Sequence, residues 1–199
     1  MTDFNQPLDK YAPAQRIVTD EQAIEAAKQV AAFALVKRDE RDQQRQLPFA
    51  VMDLFSQTGL GGIRIPKQYG GAEVSNRTLA EVFRILSKAD ANIGLIPQNQ
   101  ISLLNIINII GNDSQKRFIF GEILSGSRLA NGGPERDTKD SKTLATTLTI
   151  ANNGYYLNGE KFYSTGSSFA DYLAIKALHP EGHVVLTIID KAATGVEVV

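Results

Sequence analysis

Gly59-Leu-Gly-Gly-Ile-Arg-Ile-Pro-Lys-Gln-Tyr-Gly-Gly71 is the stretch on which the fold of this 199-residue chain turns. It holds five glycines, and Pro66 fixes the backbone ahead of Gly70-Gly71. A glycine loop can bring backbone N–H groups up to a phosphate. No Lys-Ser/Thr pair follows, however, and the spacing is not that of the dinucleotide fingerprint. The reading preferred from the residues is therefore a helix-breaking connector that turns Ile63 and Ile65 inward.

On both sides of the connector the apolar residues recur at helical spacing. Upstream, residues 1–19 read as an irregular leader broken by Pro7 and Pro13. Thr19 or Asp20 then caps a long helix with Ala23, Ala27, Val30, Ala31, Ala34 and Leu35 on one face. Its end, Lys37 to Gln46, is polar all round and reads as solvated, as do Glu21, Glu25 and the Arg38–Asp42 charge run. Pro48 opens a short helix that Gly59 ends. Downstream, Ser75 caps a helix carrying Leu79, Val82, Phe83, Leu86 and Ala89. A further helix passes through Ile101, Leu104, Ile107 and Ile110, with Pro97 at or before its start. Asp113 or Ser114 caps the last one, with Phe118, Ile119, Ile123 and Leu124 inward.

After Gly126 the period changes from helical to alternating. Thr143–Ile150, Tyr155–Leu157, Lys161–Thr165, Tyr172–Leu178 and Val184–Ile189 read as strands, with Asn153-Gly154 and Asn158-Gly159 as tight hairpin turns. Residues 128–142 between the two blocks form a polar, Gly- and Pro-containing loop. The expected class is α+β, an all-helical domain over 20–126 followed by a β-rich domain over 127–199. Val196-Glu-Val-Val199 reads as a strand in an unfinished sheet.

Composition narrows the function. With 21 basic and 22 acidic residues the net charge is −1, so no broad field attracts nucleic acid or anionic lipid. The absence of cysteine excludes disulfides, thiol nucleophiles and thiolate metal sites. Met1 to Asp9 lacks the apolar core of a secretory signal. No uninterrupted apolar run reaches the roughly 20 residues of a membrane span, since Ser102, Asn105 and Asn108 break the longest tract. A cytoplasmic protein is expected.

Two motifs carry a family resemblance, the Gly59–Gly71 connector between helices and Tyr156-Leu-Asn-Gly-Glu-Lys-Phe-Tyr-Ser-Thr-Gly166 between strands. In that order they resemble the amino-terminal half of the acyl-CoA dehydrogenase superfamily, flavoenzymes with a helical domain followed by a β-domain. The resemblance implies a truncated β-sandwich or barrel here, with the family's carboxy-terminal four-helix bundle absent. Dehydrogenases of the family carry a Thr-Glu-Pro…Gly-Ser-Asp pattern at the flavin, where this chain has Pro134-Glu135-Arg136-Asp137-Thr138. That departure, together with Ile96-Pro-Gln-Asn-Gln100 and Lys161-Phe-Tyr-Ser-Thr-Gly166, looks like the sulfur-acquisition branch, which includes relatives of dibenzothiophene monooxygenase.

What the resemblance implies is chemical. The cofactor would be a flavin (FMN, reduced as FMNH2, or FAD), and the reaction oxygenation of a small organosulfur compound. Asn131 and Ser164 match positions where the branch places neutral donors beside flavin and substrate. Such donors suit a water-poor pocket, because they steady an oxygenated flavin without protonating it early. Gly133, Pro134 and Thr138, with Tyr163 and Thr165, would seat the ring. Strict alternation would point Tyr163 and Thr165 to one face and Ser164 to the other, so a strand end or bulge is required. The alternatives are an FAD-linked acyl-CoA dehydrogenase and a non-catalytic fragment, the chain alone then binding flavin weakly or not at all and being inactive by itself. A homo-oligomer is implied for the full-length family, with a flavin reductase as partner.

His179 and His183 flank a Pro-Glu-Gly turn and read as a surface hairpin, with no third metal ligand apparent. Gln98 and Asn99 read as helix-capping residues, with a place near a substrate pocket as the other option.

Overall fold

The computed structural model describes residues 14–136, 144–151 and 154–199. These fall into two compact units, one ending at Arg128 and the other beginning at Leu129.

The first unit is helical. Helix α1, Asp20–Leu35, starts with the capping box its sequence allows. Thr19 Oγ1 accepts from the Gln22 N–H at 3.2 Å, and the Gln22 side-chain oxygen accepts from the Thr19 N–H at 3.3 Å. Its buried stripe is Ala23, Ala27, Val30, Ala31 and Ala34. Helix α2, Arg38–Gln44, follows. Here the expectation of a wholly solvated run needs correction. The Arg41 guanidinium donates to the Ala34 carbonyl and to Asp90 Oδ2, the latter at 3.3 Å, with both charged side chains nearly buried. A long Arg stem can cover apolar surface while its head finds internal acceptors.

Helix α3, Phe49–Gln57, is opened by Pro48 and followed by Gly59 at φ 81°. The Gly-rich stretch then makes two short 3-10 turns, Leu60–Gly62 and Lys67–Tyr69. Ile63 and Ile65 are buried, as expected. The amides of Gly62, Ile65, Tyr69, Gly70 and Gly71 each donate to a carbonyl of the same stretch. Glu73 and Val74 N–H donate to the Ile65 and Ile63 carbonyls at 3.1 and 3.0 Å. Gly71 sits at the closest approach, where a Cβ would lie 2.0 Å from the Ile65 carbonyl oxygen. Gln100, 4% exposed, donates from Nε2 to the Gly61 carbonyl at 3.0 Å. The glycines thus serve the chain's own backbone, and the connector reading holds.

Helix α4, Asn76–Ala89, is capped by Ser75, whose hydroxyl accepts from the Thr78 N–H. A short helix α5, Ala91–Leu95, precedes α6, Gln98–Ile110. Together Ala91–Ile110 is long and apolar enough to span a membrane by length and composition, contrary to expectation. Pro97 divides it, and nearly half of it is buried in the unit. Helix α7, Asp113–Leu124, is capped by Asn112 instead of Asp113 or Ser114. The expected inward set is corrected too: Phe120 is fully buried and Phe118 is 55% exposed. A salt bridge of 2.9 Å between nearly buried Arg128 and Asp53 ties the end of the unit to α3.

The second unit is a mixed five-stranded sheet. Its strands are β1, Leu129–Gly132; β2, Thr147–Ala151; β3, Gly154–Asn158; β4, Tyr172–Leu178; and β5, Val184–Asp190. Strand β4 is central, antiparallel to β5 along its length and parallel to β1 from Leu129↔Tyr172 to Gly132↔Ile175. Strand β2 touches β4 in parallel only at Thr147↔Leu178 and pairs antiparallel with β3. Ala130, Ala170, Leu173 and Ile175 form the core, with Leu157, Ile189 and Val196 packed against it.

The alternation reading of β4 is met residue for residue, and β2, β3 and β5 within a few residues. Three other expectations fail. Lys161–Thr165 is no strand, no strand is formed at 196–199, and the loop read over 128–142 begins as strand β1. Asn158-Gly159 ends β3 without forming a hairpin, because Gly159 packs on Thr146, where a Cβ would lie 2.4 Å from Oγ1. Asn153 of the other expected turn lies outside the described residues, although Ala151 and Gly154 pair across it.

Candidate functional site

Strand β1 carries Asn131 half-buried, paired with Ala174 of β4. A Cβ on Gly133 would lie 3.2 Å from Asn131 Oδ1, so the amide folds over a glycine. At Gly132 a Cβ would meet the Lys161 stem at 3.4 Å and the Ile175 Cδ1 at 2.2 Å. The chain leaving β1 is then clamped to the segment after β3. Phe162 N–H donates to the Pro134 carbonyl at 2.9 Å, and Lys161 Nζ approaches the Gly133 carbonyl at 3.4 Å.

The clamp closes on Glu135. Its Oε1 accepts from Lys161 Nζ at 2.5 Å, Thr146 N–H at 3.0 Å and Thr146 Oγ1 at 2.6 Å, while Oε2 accepts from Ala145 N–H at 2.6 Å. The Lys161 and Glu135 side chains are 8% and 4% exposed. Burial pushes the Glu135 carboxyl up, but the hydrogen bonds from Lys161, Thr146 and the Ala145 and Thr146 amides outweigh it. Together they hold it down at about 2. A carboxylate so engaged is an anchor and no proton acceptor. Arg136 lies over the Phe162 ring at 4.2 Å.

Tyr163 departs from the expected strand in an informative way. Its φ is 54°, an uncommon left-handed conformation for a non-glycine residue. Thr165 N–H donates to the Tyr163 carbonyl at 2.9 Å and Ser167 N–H to the Ser164 carbonyl at 3.0 Å. Gly166 at φ 92° leads into the 3-10 turn Ser167–Phe169. A tight turn therefore displays the three side chains, which removes the alternation that would have split them. The Tyr163 ring is 76% exposed, and Ser164 and Thr165 are half-buried. Replacing Tyr163 with Val, whose β-branch suits this backbone poorly, should cost about 1–2 kcal/mol in chemical denaturation, whereas Gly should be tolerated.

The structure thus brings Gly133 and Pro134 against Lys161 and Phe162, one residue before Tyr163-Ser164-Thr165. Thr138 lies outside the described residues. The residues that sequence reasoning missed are the fasteners Lys161, Thr146, Gly132 and Gly159, while Glu135 was singled out only through the family pattern. Lys161 and Glu135 both stand in polar, glycine-containing segments beside other charged residues, so the sequence carried no signal that picked this pair out. What remains on display beside the Lys161–Glu135 pair is the Tyr163 ring with the neutral Asn131 amide and the Ser164 and Thr165 hydroxyls. That set fits a flavin ring, which needs a flat apolar face and neutral hydrogen-bonding partners at its edge.

A helical unit followed by a mixed sheet with such a turn is a flavoprotein architecture. The acyl-CoA dehydrogenase N-terminal domain family matches residues 18–127, and the chain belongs to the acyl-CoA dehydrogenase superfamily. It is 30% identical over 142 residues to a 3-(aryl)acrylate reductase of Clostridium sporogenes, a match covering 70% of this chain and 38% of that protein. It is 25% identical over 126 residues to a dibenzothiophene monooxygenase of Mycolicibacterium goodii, covering 63% and 30%. Among solved structures, the FMN-bound dibenzothiophene monooxygenase TdsC of Paenibacillus sp. A11-2 superposes with a TM-score of 0.77 at 24% identity, over 87% of this chain and 45% of that one. The chain therefore spans less than half the length of these relatives, which divide between monooxygenases and a reductase.

Proposed function

We propose that this chain supplies the flavin-seating part of a flavin-dependent oxidoreductase whose reaction is oxygenation of a small organosulfur compound by reduced flavin and O2. The observation that carries the reading is the clamp. It joins the two motifs of the sulfur-acquisition pattern, Asn131–Arg136 and Lys161–Gly166, through the Phe162–Pro134 hydrogen bond and the Lys161–Glu135 pair. Bound flavin supplies the two electrons; one oxygen atom enters the sulfur compound and the other leaves as water. The Asn131 amide and the Ser164 hydroxyl donate to the reacting oxygen. Tyr163, Thr165, Gly133 and Pro134, with Thr138, seat the ring. FMN is the favoured flavin, delivered reduced by a separate flavin reductase, and a cytoplasmic homo-oligomer suits that supply.

The second reading is an FAD-linked acyl-CoA dehydrogenase, since an acyl-CoA dehydrogenase of Bacillus subtilis matches at 30% identity over 136 residues, above the 25% of the monooxygenase. It requires a carboxylate base, which the family supplies mostly from its carboxy-terminal helical domain; Glu135, held in its ion pair with Lys161, does not supply it. Oxygen uptake on aryl and alkyl sulfones, with NADH and a flavin reductase, is the test, set beside dye reduction by acyl-CoAs. Sulfone-dependent uptake that Asn131→Ala or Ser164→Ala lowers about 100-fold would support the proposal. Dye reduction by acyl-CoAs alone would overturn it, and failure to bind either FMN or FAD would favour a non-catalytic role.

A further inference from the structure

The turn between β4 and β5 brings together three groups that the flavin reading does not use. Leu178 and Val184 form the last ladder pair, and the next pair outward is His179 and His183, with His179 N–H donating to the His183 carbonyl at 2.8 Å. Residues directly opposite on antiparallel strands project to the same side. The two imidazoles accordingly stack, with centroids 4.4 Å apart and planes at 23°. Pro180, with its restricted φ, and Gly182 at φ 86° close the loop, the Gly182 N–H donating to the His179 carbonyl at 2.8 Å. This places the Glu181 carboxylate beside the Nδ1 atoms of both rings. Its Oε2 is 3.8 Å from His179 Nδ1 and 3.9 Å from His183 Nδ1. Sequence reading found two histidines without a third ligand; the fold supplies Glu181.

We propose that His179, Glu181 and His183 form a binding site for a divalent transition-metal ion of zinc type. The donor set is two imidazole nitrogens and one carboxylate oxygen, the combination that borderline divalent ions take and that magnesium and calcium do not. The three donor atoms lie within 4.8 Å of one another. Donors about 2.0–2.2 Å from a tetrahedral zinc stand roughly 3.3–3.5 Å apart. Contraction by about half an ångström at the two Glu181–His pairs, and by up to about 1.5 Å at the widest pair, is therefore needed, and rotation of the exposed His183 and Glu181 side chains provides it. His179, 15% exposed, is the fixed member. Its Nδ1 accepts the Glu181 N–H at 3.3 Å, a long bond that the ion would have to displace at that nitrogen. Water completes the fourth position. The site lies on the hairpin that pins β4, the strand beside which β1 carries Asn131, so a bound ion would stiffen the sheet from its outer end.

The chain has only two histidines, both in this turn, which makes the test direct. The protein is stripped with chelator, desalted and titrated with zinc chloride, with heat and the histidine ring resonances both recorded. One ion per chain is expected, with both histidines shifting together and saturating at one equivalent. His183→Ala, at a 57% exposed side chain, leaves the fold intact and should weaken binding about tenfold or more. Glu181→Gln should weaken it by a smaller factor, and magnesium should not compete. Heat without histidine shifts, binding unaltered in His183→Ala, or no saturable binding would each overturn the proposal.

Discussion

Replacing Lys161 with Met lowers the stability of the sheet unit by about 3 kcal/mol at neutral pH, because breaking a buried pair strands the remaining charge. Glu135 keeps its three donors from Ala145 and Thr146 but loses the Lys161 cation facing it. The measurement is hydrogen exchange of β1 and β4 amides across a urea series, which reports on this unit separately from the helical one. Adding Glu135→Gln to Lys161→Met should recover much of the loss, since the stranded charge is then gone. The pH dependence has a definite sign. The folded pKa of Glu135, about 2, lies below its ordinary value, so its contribution is full above about pH 4.5 and is lost as the pH falls towards 2. In Lys161→Met the carboxyl titrates higher, and the loss moves towards neutral pH. If Lys161→Met matched the unsubstituted protein at pH 7, the clamp would not be the element that holds the two loops together.

A comparable effect is expected in the helical unit from Gly71→Ala. The added Cβ would fall 2.0 Å from the Ile65 carbonyl oxygen and 2.6 Å from the Ile65 carbonyl carbon, both backbone atoms that no rotamer change can move. Either the Glu73 and Val74 hydrogen bonds to Ile65 and Ile63 stretch, or the stretch shifts against its buried isoleucines. The expected cost is about 3 kcal/mol, at the upper end for overpacking. Gly121 is the internal control. It lies inside α7, exposed, and a Cβ there would meet nothing within 4 Å, so Gly121→Ala should stabilise by about 0.5–1 kcal/mol. Thermal unfolding of both variants decides the matter, and equal behaviour would refute the close-approach argument.

Much of the helical unit was legible from local signals. The Thr19 and Ser75 caps, Pro48 before α3, the glycine at Gly59 and the alanine stripe of α1 each act within a few residues, and each appears where its chemistry places it. Errors came where two local choices compete. Asn112 and Asp113 can both cap a helix, and the choice of Asn112 goes with Phe120 inside and Phe118 outside. In the sheet unit the mostly apolar run Tyr172–Leu178 was legible as β4, but the same reading mistook Lys161–Thr165 for a strand. That segment alternates in composition while its Phe162 amide is claimed by Pro134 and its Lys161 by Glu135.

The identities of the displayed groups, Asn131, Ser164, Tyr163 and Thr165, were readable in the sequence through the family motifs, because a motif records residue types at fixed spacing. Their presentation was not. It depends on a carboxylate meeting an ammonium 26 residues away and on a tyrosine held at positive φ. Both are long-range consequences of how β1 and the segment after β3 meet, and local propensity carries no information about such a meeting. Glu181, by contrast, stands within two residues of both histidines, and what the hairpin decided was only the approach of its carboxylate to their rings.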